Sequence, residues 1–227
     1  MTEALAAPAT RALDQLDALV SSRSILNHPF YQAWTQGTLT HEQLRAYAEI
    51  YYPHVRAFTT YLESAIVGAM DPETRRTLVD NLVDELSRPE EHAALWRRFA
   101  AGVGAESLSE GHPAAAATVD TFEQLCATGT VEALAALYAY ESQQPEVAST
   151  KLAGLREHYG VRCPEALRYF EVHREADVEH REGEREALRR ELERGGSQED
   201  ALAAAGAALD AYWGLLDAVC VETGIAA

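Results

Sequence analysis

Lysine is almost missing from this sequence: Lys151 is the single one among 19 Lys and Arg in 227 residues. Against those 19 stand 36 Asp and Glu, for a formal charge of −17. That imbalance excludes a nucleic-acid-binding face, which needs Lys and Arg gathered against phosphate. Cysteine is scarce too. Cys126, Cys163 and Cys220 are widely spaced with no CxxC pair, which excludes a disulfide framework and a thiolate zinc site. They read as buried, reduced thiols of a cytoplasmic protein. No stretch approaches the roughly 18 uninterrupted apolar residues of a membrane span. The start, MTEALAAPATRALDQL, lacks the basic end and apolar run of a signal peptide. Strand-like alternation is also missing.

What is present is alanine, leucine and helical periodicity, in a chain 47% apolar and so able to fill a core. An amphipathic helix is expected over 9–22, and a short aromatic one within 24–37. Thr40 and Gln43 form a capping-box pattern opening a helix to about Met70, with a kink at Pro53. Asp71-Pro72 starts the next, which runs past Pro89 to Phe99. After a loop at 102–113 come helices over 113–127, 131–159 with a bend at Pro145, 164–194, and a last one to about Glu222. The expectation is a single all-α domain spanning 1–227, an up-and-down bundle of seven or eight helices, with 1–8 flexible.

Within the 164–194 helix lies YFEVHREADVEH, residues 169–180. At 3.6 residues per turn, side chains four and seven apart return to one face. His173, Asp177 and His180 therefore project together while Glu175 and Glu179 point away. Two imidazoles and a carboxylate on one stripe make half a transition-metal site. Glu85 and His92 have the same seven-residue spacing, although Pro89 between them should kink or loosen that helix. Glu141 sits in the strongly apolar LAALYAYE, where an unpaired carboxylate is expensive to bury. Three imidazoles and three carboxylates from three helices suit one or two iron or manganese ions in a bundle core. His28, His41, His54, His112 and His158 show no such coherence and read as surface, capping or packing residues.

HPFYQAWTQGTLT, YYPHVRAF, DELSRPEEHAALWRRFA, YESQQPEVASTKLAGLREHYG and YFEVHREADVEH together resemble the CADD-like branch of the haem-oxygenase-like dimetal oxidases, related to TenA and PqqC. The resemblance spans about residues 24–220. It implies a non-haem dimetal centre, Fe/Fe or Fe/Mn, held by Glu85, His92, Glu141, His173, Asp177 and His180. Leu86 stands where the family often has a second acid, which keeps Asp84 as the alternative to Glu85. It also implies a 4-aminobenzoate synthase of folate biosynthesis that consumes one of its own tyrosines, using O2 and an external reductant. The matching catalytic candidates are Tyr31 of the HPFY motif, Tyr140 before the lone glutamate, and Lys151 as amino donor. A homodimer is implied; the electron donor is not. The rival readings are a dimetal oxygenase acting on an external amino acid or fatty acid, and a protein-binding module for death domains.

Overall fold

Helices begin in this chain where local chemistry satisfies their first amide groups. Thr40 accepts from the Gln43 amide while the Gln43 side chain accepts from Thr40 N, a complete capping box. His28 and His112 cap two other helices through Nδ1, each directly before a proline at the first helical position. The computed structural model describes residues 2–87, 89–105 and 107–225, with side chains from residue 8 onward. In chain order the helices are α1 (Thr2–Ser22), α2 (Pro29–Gln36), α3 (His41–Gly68), α4 (Pro72–Ser87) and α5 (His92–Gly102). They continue as α6 (Pro113–Thr128), α7 (Thr130–Glu141), α8 (Gln144–Glu157), α9 (Pro164–Glu193) and α10 (Gln198–Thr223). A 3₁₀ turn at Ile25–Asn27 precedes α2. No strand occurs among the described residues.

The architecture is the expected all-α up-and-down bundle, and its extra helices come from proline. The segment 72–99 is not one kinked helix. It breaks between Ser87 and His92, around Pro89, into α4 and α5. The segment 131–159 likewise divides at Ser142 and Gln143, with Pro145 in the first turn of α8, where its missing amide costs nothing. By contrast α3 runs unbroken through Pro53. Helix α1 begins earlier than residue 9 and contains Pro8. Of the stretch 1–8 expected to be flexible, Met1 and the side chains of 2–7 lie outside the described residues.

Two helices organise the core. Helix α7, VEALAALYAYE, is apolar all round and buries every residue from Ala133 to Glu141, packed between α10, α9 and α6. Helix α9 is polar outside and lies against α1, α4, α5, α7 and α8. Its inner stripe includes Tyr169, His173, Asp177, His180 and Glu184. The metal-ligand types therefore converge where α4, α5, α7 and α9 meet.

Candidate metal centre

Two clusters form along the α9 stripe. In the first, Glu85 from α4, His92 from α5 and His173 from α9 bring ligand atoms within 4.8 Å of one another. Glu85 Oε1 lies 2.8 Å from His92 Nδ1 and 3.8 Å from His173 Nε2. His173 Nδ1 is 2.8 Å from the Tyr169 carbonyl. Only an Nδ1–H can bond a carbonyl, so the Nε2 lone pair is directed at the cluster, as a metal-ligating imidazole requires. Burial, with His92 adding to it, pulls the His173 pKa well below its ordinary range, so the ring is neutral.

In the second cluster Glu141 from α7 meets Asp177 and His180 from α9, again within 4.8 Å. His180 Nδ1 is 3.2 Å from Glu141 and 3.4 Å from Asp177, and its Nε2 is 3.1 Å from Asp84. Burial opposes the imidazolium, but Asp177 and Glu141 outweigh it and push the pKa up to about 12. Burial raises Asp177 to about 7. Glu141 is held low against its own burial by hydrogen bonds from Glu184, His180 and Asn81.

The donor set fits two hard or borderline cations. Glu85, Glu141 and Asp177 are at most 5% exposed, and among the described residues none pairs with Lys or Arg. Asp177 Oδ2 is buried with no hydrogen-bond partner. Buried carboxylates left this way cost several kcal/mol each, which a bound cation offsets. Glu85, His173, Glu141 and Asp177 line one shared cavity with Tyr140 and Tyr169, and its volume is only about 10 Å³. That is room for the centre of roughly one water-sized particle.

Beside the centre, Lys151 of α8 is 2% exposed. Its Nζ hydrogen-bonds the Tyr47 hydroxyl and sits 5.0 to 5.7 Å from the ring centroids of Tyr31, Tyr47, Tyr51, Trp96 and Phe170. Burial lowers its pKa to about 7. Tyr51 and Tyr140 hydroxyls are 2.8 Å apart, joining this cage to the cavity wall.

A family model described as iron-containing redox enzyme matches residues 45–213. The chain belongs to this haem-oxygenase-like family. The 4-aminobenzoate synthase of Chlamydia muridarum is 47% identical over 173 residues, 74% of this chain and 73% of that protein. The 4-aminobenzoate synthase of Nitrosomonas europaea is 37% identical over 219 residues, 90% of this chain and 89% of that one. A solved CADD-like protein of unknown function from Nostoc punctiforme shares the fold, with a TM-score of 0.75 at 19% identity, covering 96% and 99% of the two chains.

In this haem-oxygenase-like oxidoreductase the predicted residues fall together, with corrections. Glu85 and His92 do not share a helix face; they stand on two helices either side of a break, and His92 is the first residue of α5. Glu85 faces His92 and His173, while Asp84, next to it on the rim, faces His180. Tyr31 and Lys151 share the aromatic cage, whereas Tyr140 lines the metal cavity. Cys163 is exposed at the start of α9, unlike the buried Cys126 and Cys220. Tyr47, Tyr51 and Glu184 escaped the sequence reading. Glu184 follows His180 by four residues on the same stripe, a spacing that was there to be read.

Proposed function

We propose that this chain makes 4-aminobenzoate from one of its own tyrosines, with Lys151 supplying the nitrogen. The observation that carries the reading is the sealed amine: a single lysine, buried among tyrosines beside a donor set whose cavity of about 10 Å³ has no room for an external aromatic substrate. The Chlamydia muridarum and Nitrosomonas europaea relatives, named 4-aminobenzoate synthases, support the product. The same small cavity weighs against the rival oxygenase acting on a free amino acid or fatty acid.

Glu85, His92 and His173 would hold one metal ion, and Glu141, Asp177 and His180 a second. When bound, an Fe/Fe or Fe/Mn pair supplies activation of O2 and one-electron oxidation, with electrons from an external reductant. The protein's part is placement. Lys151 has a pKa of about 7, so a large share of its amine is unprotonated at neutral pH and able to attack carbon. Tyr47 fixes that amine by its hydroxyl, and Tyr31 lays its ring against it. We assign Tyr31 as the ring that is consumed, and Tyr140, through Tyr51, as the link to the metal cavity. The product's constitution sets the bond changes: the tyrosine Cβ, oxidised by O2, becomes the carboxyl carbon as its bond to Cα breaks, and the Lys151 nitrogen replaces the phenol oxygen, which leaves as water, as the Nζ–Cε bond breaks. Such a reaction consumes the protein once per product.

The test omits any organic substrate. Protein loaded with Fe(II) and Mn(II) receives reductant and O2, and free 4-aminobenzoate and intact protein mass are recorded. Product with matching mass loss, both abolished in Tyr31→Phe and Lys151→Arg, is the expected result. Metal binding and O2 uptake without product would sink the self-consuming reading and favour an external substrate.

A further inference from the structure

Asn81 and Glu184 stand outside the six-residue donor set, yet both are buried against one of its members. Asn81 of α4 is 3% exposed and Glu184 of α9 is 0% exposed. Asn81 Nδ2 donates to both Glu141 oxygens, at 3.2 and 3.0 Å, and lies 3.4 Å from Glu184 Oε1. Glu184 thus reaches the Glu141 carboxylate through the amide they share. Asn81 Oδ1 and Glu184 Oε2 are buried with no hydrogen-bond partner, and among the described residues no Lys or Arg pairs with Glu184. An amide and a carboxyl buried this poorly are costly, and two apolar side chains would fill the space at less expense. What they do achieve is fix one carboxylate: Glu184 of α9 accepts from the Asn81 amide of α4, which donates to both oxygens of Glu141.

We propose that Asn81 and Glu184 are positioning residues that keep the Glu141 carboxylate oriented for metal binding in the Glu141–Asp177–His180 half of the centre. This rests on the dimetal reading above. Glu141 Oε1 already hydrogen-bonds His180 Nδ1 at 3.2 Å, so a carboxylate with no other partner would settle on that imidazole and take two ligands out of play together. The Asn81 donor of α4, bonded to both Glu141 oxygens and held by Glu184 from the next turn of α9, competes with that pairing. The other half has a different support: its His173 is oriented by the Tyr169 carbonyl. Loss of the clamp should therefore weaken one metal position and spare the other. Removal of such outer supports typically costs 10- to 100-fold in metal affinity.

The experiment titrates metal-free full-length protein with Mn(II) alone, counting bound ions by elemental analysis and following the metal by electron paramagnetic resonance. Wild type, Asn81→Leu, Glu184→Leu and Glu184→Gln are compared, with circular dichroism as the check on folding. Wild type should take up two ions. Each leucine variant should keep one and bind the other about 10- to 100-fold more weakly. Glu184→Gln retains an acceptor of the same length for the Asn81 amide and should stay within about threefold of wild type. Asn81→Asp, of unchanged size, replaces the donor by a repelling carboxylate and should lose the same ion even if a leucine variant fails to fold. Two ions held with wild-type affinity in the Asn81 and Glu184 variants would overturn the inference. So would Glu184→Gln falling as far as Glu184→Leu, since charge and not hydrogen bonding would then be what matters. Wild type binding no Mn(II) would overturn the dimetal reading, and this inference with it.

Discussion

Lys151 is where the proposed chemistry and the stability of this protein meet. Its amine has an ordinary pKa of 10.5, and burial lowers that to about 7 in the folded chain. Between those values the unfolded chain holds a proton that the folded chain has shed, so stability rises with pH across that window. At and below pH 7 the burial costs on the order of 4 kcal/mol. Lys151→Met should therefore raise the melting temperature at pH 7, and its advantage should shrink toward pH 10.5; thermal melts at both ends check this. Yield of 4-aminobenzoate per chain should climb through pH 7 as the amine becomes neutral. Tyr47→Phe leaves the amine cage standing but takes away its hydrogen-bond partner. That should cost about 1–3 kcal/mol in a denaturant titration, and product should fall with it.

At the scale of helices, the centre depends on how α4, α5, α8 and α9 are interrupted and approached. Helix α8 carries Gly154 close after Lys151, and the Trp34 indole lies against it. A Cβ at Gly154 would overlap Trp34 Nε1. Gly154→Ala should therefore destabilise by about 1–3 kcal/mol, read as a lower denaturant midpoint. Trp34 also packs edge-on to Tyr47, at 5.9 Å between ring centroids, so the same variant should disturb the lysine cage and lower product yield. On the other side, the break around Pro89 leaves His92 at the start of α5, joined to α4 by only a few residues. Such a junction is a local-unfolding unit whose closure a bridging ion would favour. Amide exchange over 91–95 should slow on Mn(II) binding, while exchange in α7 should not change. Equal protection with and without metal would show that the junction is already closed.

Over the whole molecule, an acidic bundle buries three carboxylates and three histidines at one point and leaves Asp177 Oδ2 without a partner. Ligands that bind only the folded state stabilise it by mass action, by about 2.7 kcal/mol for each site held at a hundredfold excess over its dissociation constant. Chelator-treated protein should melt several degrees below protein with Fe(II) or Mn(II) restored, and scanning calorimetry would measure the difference. Much of this architecture was legible beforehand. Capping residues at Thr40 and the prolines at 72, 113 and 164 mark helix starts correctly, because caps act within a turn of chain. The two added helix breaks were harder, since a proline can bend a helix or end it. At Pro53 the surrounding core keeps α3 continuous, whereas Pro89 is exposed between α4 and α5.

By itself the sequence determined the helices, the inward stripe of α9 and the buried setting of Glu141. Each follows from periodicity over a few turns or from an apolar run, and neither needs knowledge of distant chain. Only tertiary structure decided which donors meet. It joined Glu85 with His92 across a helix break, turned Asp84 toward His180, and brought Lys151 to Tyr47 over 104 residues of chain. It also left Cys163 in solvent and set Asn81 and Glu184 around Glu141. The physical reason is range: backbone preference and side-chain period act over neighbouring turns, while a coordination cluster is the meeting of helices that only packing of the whole core can align.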